Sequence, residues 1–336
     1  MSPKISIILP CYNVEKYIDK CIKSIQQQTF TQYEVICIDD CSTDKTSLIL
    51  QKYHQKNIIK LITLEKNQGA ANARRVGLKY CRGLYIAYID PDDYIKNNYL
   101  EVLYNATENE TIDLVLMNGS TRVTKFTKKK SKFTLQNINK KETDISKYLC
   151  NFFGYHIFPA PVWGRIYKKS ILENTSPINI FYQDDVLLNF YVFTQTLRDF
   201  KVIDYQGYFY RDGGGTSSNP NYLRDNIECF LIRLNWLEQN SPTDYLMLKK
   251  CLIIEFKSII YESIIRKILE KETKPSIMKY IQEVINMSVL TNLKNYCHND
   301  TDINILFSNN LENIYNVAKS KITFKRKVAR ILLRII

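Results

Sequence analysis

Over its first ninety residues the chain alternates short apolar runs with stretches of helical period, and that alternation decides the fold class. Ile5-Ser6-Ile7-Ile8-Leu9 is an apolar run closed by Pro10, which suits a buried strand. Tyr17, Ile18, Cys21, Ile22 and Ile25 then recur three and four apart, the period of a helix with one buried face. Glu34 to Ile38, Ile58 to Leu64 and Leu84 to Ile89 read as further strands, and Asp44 to Gln55 and Ala70 to Cys81 as helices. The order βαβαβαβ predicts an α/β fold with a mostly parallel, Rossmann-like sheet flanked by helices.

Such sheets bind ligands beyond the carboxyl ends of their strands. Here those ends carry Pro10-Cys11-Tyr12-Asn13, Asp39-Asp40-Cys41-Ser42 and Asp90-Pro91-Asp92-Asp93. A carboxylate at the end of a buried strand is costly to desolvate without a counter-charge, and neighbouring carboxylates raise one another's pKa. Oxygen-only clusters suit Mg²⁺ or Mn²⁺, and those ions suit phosphates. An Asp-rich turn is the competing explanation, because Asp-Pro-Asp-Asp is also turn chemistry. Tyr12 beside Asp39 and Asp40 suits a nucleobase, with the ring stacking on the base and a carboxylate accepting an N–H. No G-x-G-x-x-G follows the first strand and no G-x-x-x-x-G-K-[ST] occurs, which argues against a dehydrogenase or a P-loop ATPase.

Beyond residue 110 the pattern changes. Asp113 to Met117 reads as a strand, and Arg122 to Lys132, with six basic residues, as an exposed loop or an edge hairpin. An aromatic stretch from Phe152 to Trp163 precedes a short helix near Lys169, a helix from Asp185 to Thr196 and one strand from Lys201 to Tyr210. Apolar residues at helical spacing from Tyr222 onward predict a helical C-terminal region, with a boundary near residue 220.

The net charge of +13 is uneven. Residues 1–110 carry 14 basic and 13 acidic groups, and residues 111–336 carry 33 and 21. The back of the chain is therefore expected to meet an anionic partner. Its last stretch, 319–336, holds seven basic residues, no acid, and apolar residues at helical spacing. This is the pattern of a basic amphipathic helix lying on an anionic membrane surface; docking on the protein itself is the alternative. No recognised nucleic-acid module accompanies the charge, so nucleic acid is not an expected partner. No run reaches the roughly 18 apolar residues of a membrane span, and the apolar start lacks a signal-peptide pattern, which predicts a cytoplasmic chain, peripheral on the inner face of the cell membrane. The nine cysteines are odd in number and form no C-x-x-C pair, as expected of reduced, buried thiols.

The motifs together resemble a known family. Ile5 to Asn13, Gln28-Thr29-Phe30, Glu34 to Asp44, Asn67-Gln68-Gly69-Ala70-Ala71-Asn72-Ala73-Arg74-Arg75-Val76-Gly77, Gly83-Leu84-Tyr85-Ile86 and Asp90-Pro91-Asp92-Asp93 look like the opening of glycosyltransferase family two. Val162-Trp163-Gly164-Arg165-Ile166-Tyr167, Gln183-Asp184-Asp185 and Tyr208-Phe209-Tyr210-Arg211 are similar to its acceptor half. Similar bacterial enzymes extend lipo-oligosaccharide or capsule, β-1,3-galactosyltransferases among them.

The resemblance implies a GT-A fold over residues 1–220, with a nucleotide-sugar half (1–110) and an acceptor half (111–220), followed by helical residues 221–336. It implies a UDP-sugar donor, a glycan or lipid-linked saccharide acceptor, Mn²⁺ or Mg²⁺, and inversion at the anomeric carbon. Tyr12 and Asp40 would contact the base, with Pro10 and Asp39 beside them. Arg74 would help hold the nucleotide. Asp90 and Asp92 would face ribose, phosphate and metal, with Asp93 close by. Asp185 would be the catalytic base. The family often has Glu-Asp where this chain has Asp184-Asp185, so Asp184 is the alternative base. A nucleotidyltransferase or a non-enzymatic membrane-binding protein are the competing readings, and oligomerisation is left open.

Overall fold

The computed structural model describes residues 2–123, 128–132, 161–175, 184–196, 198–211, 222–240, 256, 259–261, 263–265, 267–285, 308 and 310–321. The chain forms two compact units, Met1–Asp225 and Asn226–Ile336.

In the first unit, strands β1 (Ile5–Cys11), β2 (Tyr33–Asp39), β3 (Lys60–Thr63), β4 (Tyr85–Tyr88), β6 (Leu114–Met117), β9 (Arg165–Lys168) and β10 (Phe200–Ile203) build a seven-stranded sheet. Their order is β10-β6-β9-β4-β1-β2-β3. All neighbours are parallel except β9, which runs antiparallel between β4 and β6. Every residue of β1 is buried, as a central strand covered on both faces requires. Helix α1 (Ile18–Gln26) buries Ile18, Cys21, Ile22 and Ile25, the stripe its period predicts. Helices α2 (Thr46–Gln55), α3 (Gly69–Leu78) and α4 (Tyr99–Asn105) complete the front half.

Register brings the strand ends level. Cys11 pairs with Asp39 across β1 and β2, and Ile8 pairs with Tyr88 across β1 and β4. Two residues past Tyr88 the chain reaches Asp90 at the height of Pro10. The expected acid clusters thus share one rim of the sheet.

A second sheet, in the order β5-β11-β7-β8, consists of β5 (Tyr94–Ile95), β7 (Gly119–Val123), β8 (Lys128–Lys132) and β11 (Tyr208–Arg211). It corrects one expectation. Lys201 to Tyr210 is not one strand: residues up to Ile203 pair with β6 in the main sheet, and Tyr208–Arg211 pair with β5 and β7 in the second. The link Asp204-Tyr205-Gln206-Gly207 lets the chain change sheets, and the Tyr205 ring lies where a Gly207 Cβ would stand, 2.2 Å away. Of the two forms expected for 122–132, the described residues show edge pairing: Gly119–Val123 pairs antiparallel with Lys128–Lys132, and β8 is the outer strand.

After β9 come α5 (Lys169–Glu173) and α6 (Asp184–Tyr191), the latter running into a π-helical turn, Val192–Thr196. Helices α7 (Tyr222–Asn240) and α8 (Lys274–Ile285) follow, and 311–321 are helical. The basic tail beyond residue 321 and residues 152–160 of the aromatic stretch lie outside the described residues. Among the described residues no helix is long and apolar enough to cross a membrane. Six described cysteines are free thiols, five of them buried.

Gly83 shows why one motif position is a glycine. A Cβ there would meet the backbone of β1, 2.5 Å from Ser6 N and 2.7 Å from Ile5 C. Neither atom can yield without moving the central strand. Gly83→Ala is expected to cost about 1–3 kcal/mol through overpacking, read as a lower urea midpoint with an unchanged slope. An unchanged midpoint would show that β1 shifts freely.

Candidate active site

Asn13 fastens the first strand end to the second. Its backbone lies in the left-handed region, φ 52°, which Asn tolerates better than most residues. Its side-chain oxygen accepts the N–H groups of Thr43 at 2.8 Å and Asp44 at 3.3 Å, and the Thr43 hydroxyl at 3.2 Å. Its own N–H donates to Ser42 Oγ at 3.2 Å. Tyr12, 45% exposed, is therefore presented from a stapled loop. Pro10 is buried and pairs with Ile38.

Asp39 and Asp40 are both buried. Asp39 Oδ1 accepts the Ser42 N–H at 3.0 Å. Asp40 accepts the N–H groups of Gln68 and Gly69, at 2.8 and 2.7 Å, on its two oxygens. Asp40 thus satisfies donors at the start of α3, as a helix N-terminus needs. Burial raises its pKa, and those two N–H groups oppose the rise.

Arg74, on α3, is the hub of the third cluster. One terminal nitrogen of its guanidinium pairs with Asp184 and the other with Asp90 at 3.2 Å. The side chains of Arg74 and Asp184 are only 10% and 14% exposed. Burial alone would lower the Arg74 pKa, but Asp184, Asp90 and Asp185 together raise it and hold the cation. Asp90 and Asp184, 94 positions apart, thereby meet on one side chain. Arg74, Tyr88 and Asp184 also line a cavity of about 320 Å³, with Leu78, Leu172 and Leu188 in its other walls.

The remaining acids differ in their surroundings. Burial raises Asp90, with Arg74 opposing. Asp92 is raised to about 6 by burial and the Asp90 charge. Asp93 is 1% exposed and raised to about 9 by burial, then by Asp90 and Asp92. Its Oδ1 accepts the Arg211 N–H at 2.7 Å, and the Asp92 carbonyl accepts Arg211 Nε at 2.9 Å. Asp93 therefore ties β11 to the rim, and Asp92 is half-buried beside it. Tyr208 accepts the Asp90 N–H at 3.0 Å, joining the second sheet to the same turn.

Asp185 opens α6 and is raised to about 7 by burial, then by Asp184, with Arg74 opposing. Its carbonyl accepts the Asn189 amide at 2.8 Å. Asn189 is fully buried, and its Oδ1 accepts Arg165 Nη1 at 3.0 Å and the Tyr167 hydroxyl at 2.7 Å. The Trp-Gly-Arg-Ile-Tyr motif thus anchors the helix that carries Asp185. Asn189 was not singled out in the sequence; its position four residues after Asp185, inside an apolar helix, is the signal that could have found it. Trp163 fills the core, stacked on Tyr208 with ring centroids 4.5 Å apart.

Among the described residues no group of three His, Cys, Asp or Glu is arranged to hold a metal ion. Asp90 and Asp92 nevertheless fit one: they are adjacent oxygen donors whose charges oppose one another, and Mg²⁺ or Mn²⁺ commonly uses one or two carboxylates and completes its shell with substrate phosphates and water.

The fold is that of a mostly parallel α/β sheet with acids along one rim, and comparison with known proteins names its family. Residues 6–175 match the family described as Glycosyl transferase family 2, and the chain belongs to it. It is 28% identical over 233 residues to an uncharacterised glycosyltransferase, EpsJ, of Bacillus subtilis, covering 67% of this chain and 64% of that one. It is 36% identical over 119 residues to the glycosyltransferase GlyG of Streptococcus pneumoniae, covering 35% and 40%. With the poly(ribitol-phosphate) beta-N-acetylglucosaminyltransferase TarS of Staphylococcus aureus it shares 43% over 101 residues, 29% of this chain and 18% of that one. In each case the match spans less than two thirds of the relative's own length. The crystal structure of S. aureus TarS in complex with UDP-GlcNAc superposes with a TM-score of 0.67 at 21% identity, covering 95% and 92% of the two chains. That likeness establishes a shared GT-A-type fold.

Proposed function

We propose that this chain transfers a hexose (galactose, glucose or N-acetylhexosamine) from a UDP-sugar to a bacterial surface glycan, a lipo-oligosaccharide or capsule precursor, with inversion. The observation that carries this reading is the meeting of Asp90, Arg74 and Asp184 at the rim, next to an Asp185 whose proton is held with a pKa of about 7.

Tyr12 stacks on the uracil, and Asp39 and Asp40 border the base pocket beside Pro10. Asp90 and Asp92 would hold Mn²⁺ or Mg²⁺, which when bound would offset the charge that develops on the leaving diphosphate. Asp185 accepts the proton of the acceptor hydroxyl as its oxygen bonds to the anomeric carbon, a contribution of about 10²–10⁴-fold. One base without a protein nucleophile gives a single displacement, hence inversion. Asp184 orients that base through Arg74 and is the alternative proton acceptor. Residues 1–220 carry this chemistry. The helical region 221–336, with its basic tail 319–336, holds the enzyme against the anionic inner face of the membrane, where a lipid-linked acceptor would be found.

Asp92→Asn tests the donor site. Mn²⁺-dependent UDP binding, measured by calorimetry, is expected to weaken at least about tenfold, since even a group that only orients a metal ligand is worth that, and the weak metal-free binding to stay. Equal Mn²⁺ enhancement in wild type and variant would contradict the assignment.

A further inference from the structure

Asp90 and Asp185 can work on one reaction only if their separation is fixed, and they come from distant parts of the chain. Arg74 joins Asp90 to Asp184 through side chains alone. A second tie runs through the sheet. Strand β9 pairs with β4, Ala87 opposite Ile166, so Arg165 stands level with Tyr88, two residues before Asp90. The Tyr88 ring meets that of Tyr167 at 63°, with centroids 5.9 Å apart. Arg165 and Tyr167 alternate onto one face of β9, and both donate to Asn189 Oδ1, at 3.0 and 2.7 Å.

These donors leave the Asn189 amide one orientation. A guanidinium only donates, so the amide oxygen faces Arg165 and the nitrogen faces the other way, where it donates to the Asp185 carbonyl at 2.8 Å. Asn189 is 0% exposed, so water does not compete for these bonds. Its neighbours Leu187, Leu188 and Phe190 are apolar and buried, and packing alone would suit a leucine at 189. A buried amide is costly unless its polar atoms are bonded, and Asn is a poorer helix former than Leu. The residue type at 189 is therefore explained by what its amide holds.

We propose that Asn189 is a positioning residue for the transfer: it locks the backbone turn that carries Asp185 to strand β9, and so to the neighbouring strand that leads into Asp90. It touches no substrate and acts through the placement of the base. This rests on the transfer reading above and adds to it the residue that sets the distance between base and donor site. A misplacement of about 1 Å in such a geometry can cost about 10²-fold in rate.

Asn189→Asp in the full-length protein is the test. Aspartate keeps the size and the oxygen that faces Arg165, whose charge holds it ionised, and it lacks the N–H. Turnover is hydrolysis of UDP-galactose, UDP-glucose and UDP-N-acetylglucosamine with Mn²⁺, water supplying the acceptor hydroxyl. It is read on the high-pH plateau, where a changed ionisation of Asp185 does not enter. The variant should lose about 10–10²-fold in kcat with KM unchanged. In an Asp185→Asn background the same substitution should cost less than about twofold, because its effect passes through the base. Tyr167→Phe removes one of the bonds to the Asn189 oxygen and no charge. It should lower kcat by about two- to tenfold, one hydrogen bond's worth, again with KM unchanged, and it decides the matter if urea unfolding shows that Asn189→Asp does not fold.

A folded Asn189→Asp variant with wild-type kcat would overturn the inference. So would a loss of equal size in the Asp185→Asn background, or a change in KM alone. If Asn189→Asp does not fold, wild-type kcat in Tyr167→Phe would overturn it. Wild-type protein that hydrolyses none of the nucleotide sugars would overturn the transfer reading instead.

Discussion

Asp185→Asn is expected to leave UDP-sugar affinity near wild type and to lower turnover by about 10²–10⁴-fold. The amide matches the carboxylate in size, so the half-buried start of α6 and the Asn189 contact to its backbone remain. What is lost is the ability to take a proton. In wild type the Asp185 carboxyl is raised to about 7 by burial and by Asp184. A base must be ionised to act, so turnover should rise with pH through about 7 and level off above it. The variant should lose that limb. Retained turnover in Asp185→Asn, with a limb still present, would move the proton acceptor to Asp184; there the same substitution would then abolish it.

Arg74→Gln is expected to have the largest effect on stability. It leaves Asp90 and Asp184 facing one another without their shared cation. Removing one partner of a buried ion pair costs about 3–5 kcal/mol; the lower end applies because the Asp90 side chain keeps 28% of its surface exposed. The substitution also removes the charge that holds the Asp185 pKa down. The rising limb of turnover should therefore move to higher pH, by about one unit, the low end for an opposite charge this close. Arg74→Lys keeps a cation but loses the fork that spans two carboxylates. It should recover the position of the limb and only part of the stability. A limb that stays in place in Arg74→Gln would show that Arg74 acts on folding alone.

The front of this molecule was legible because its strands are central. A strand buried on both faces must be written almost wholly in apolar residues, and Ile5 to Leu9 and Leu84 to Ile89 are so written. Their parallel register then places the acids at a single rim, so candidate residues could be named before their contacts. The second sheet was not legible for the opposite reason. Strand β5 has two residues and β11 four, too few to show a period, and β11 follows β10 closely enough to read as its continuation. Partnerships were less visible still. Nothing in the local sequence says that Arg74 bridges Asp90 and Asp184, or that Asp40 bonds the start of α3, because those contacts are made by chain distant in sequence. The organising roles of Asn13 and Asn189 were not legible, because an amide is recognised as an organiser only once its donors surround it.

The most direct test of the central claim is a crystal structure with UDP and Mn²⁺, with the metal located by its anomalous signal. The account predicts manganese against the Asp92 carboxylate, pyrophosphate beside it, and uracil on the Tyr12 ring, with Asp185 open toward the acceptor side. Manganese and nucleotide bound together at another place, with Asp90 and Asp92 untouched, would contradict it.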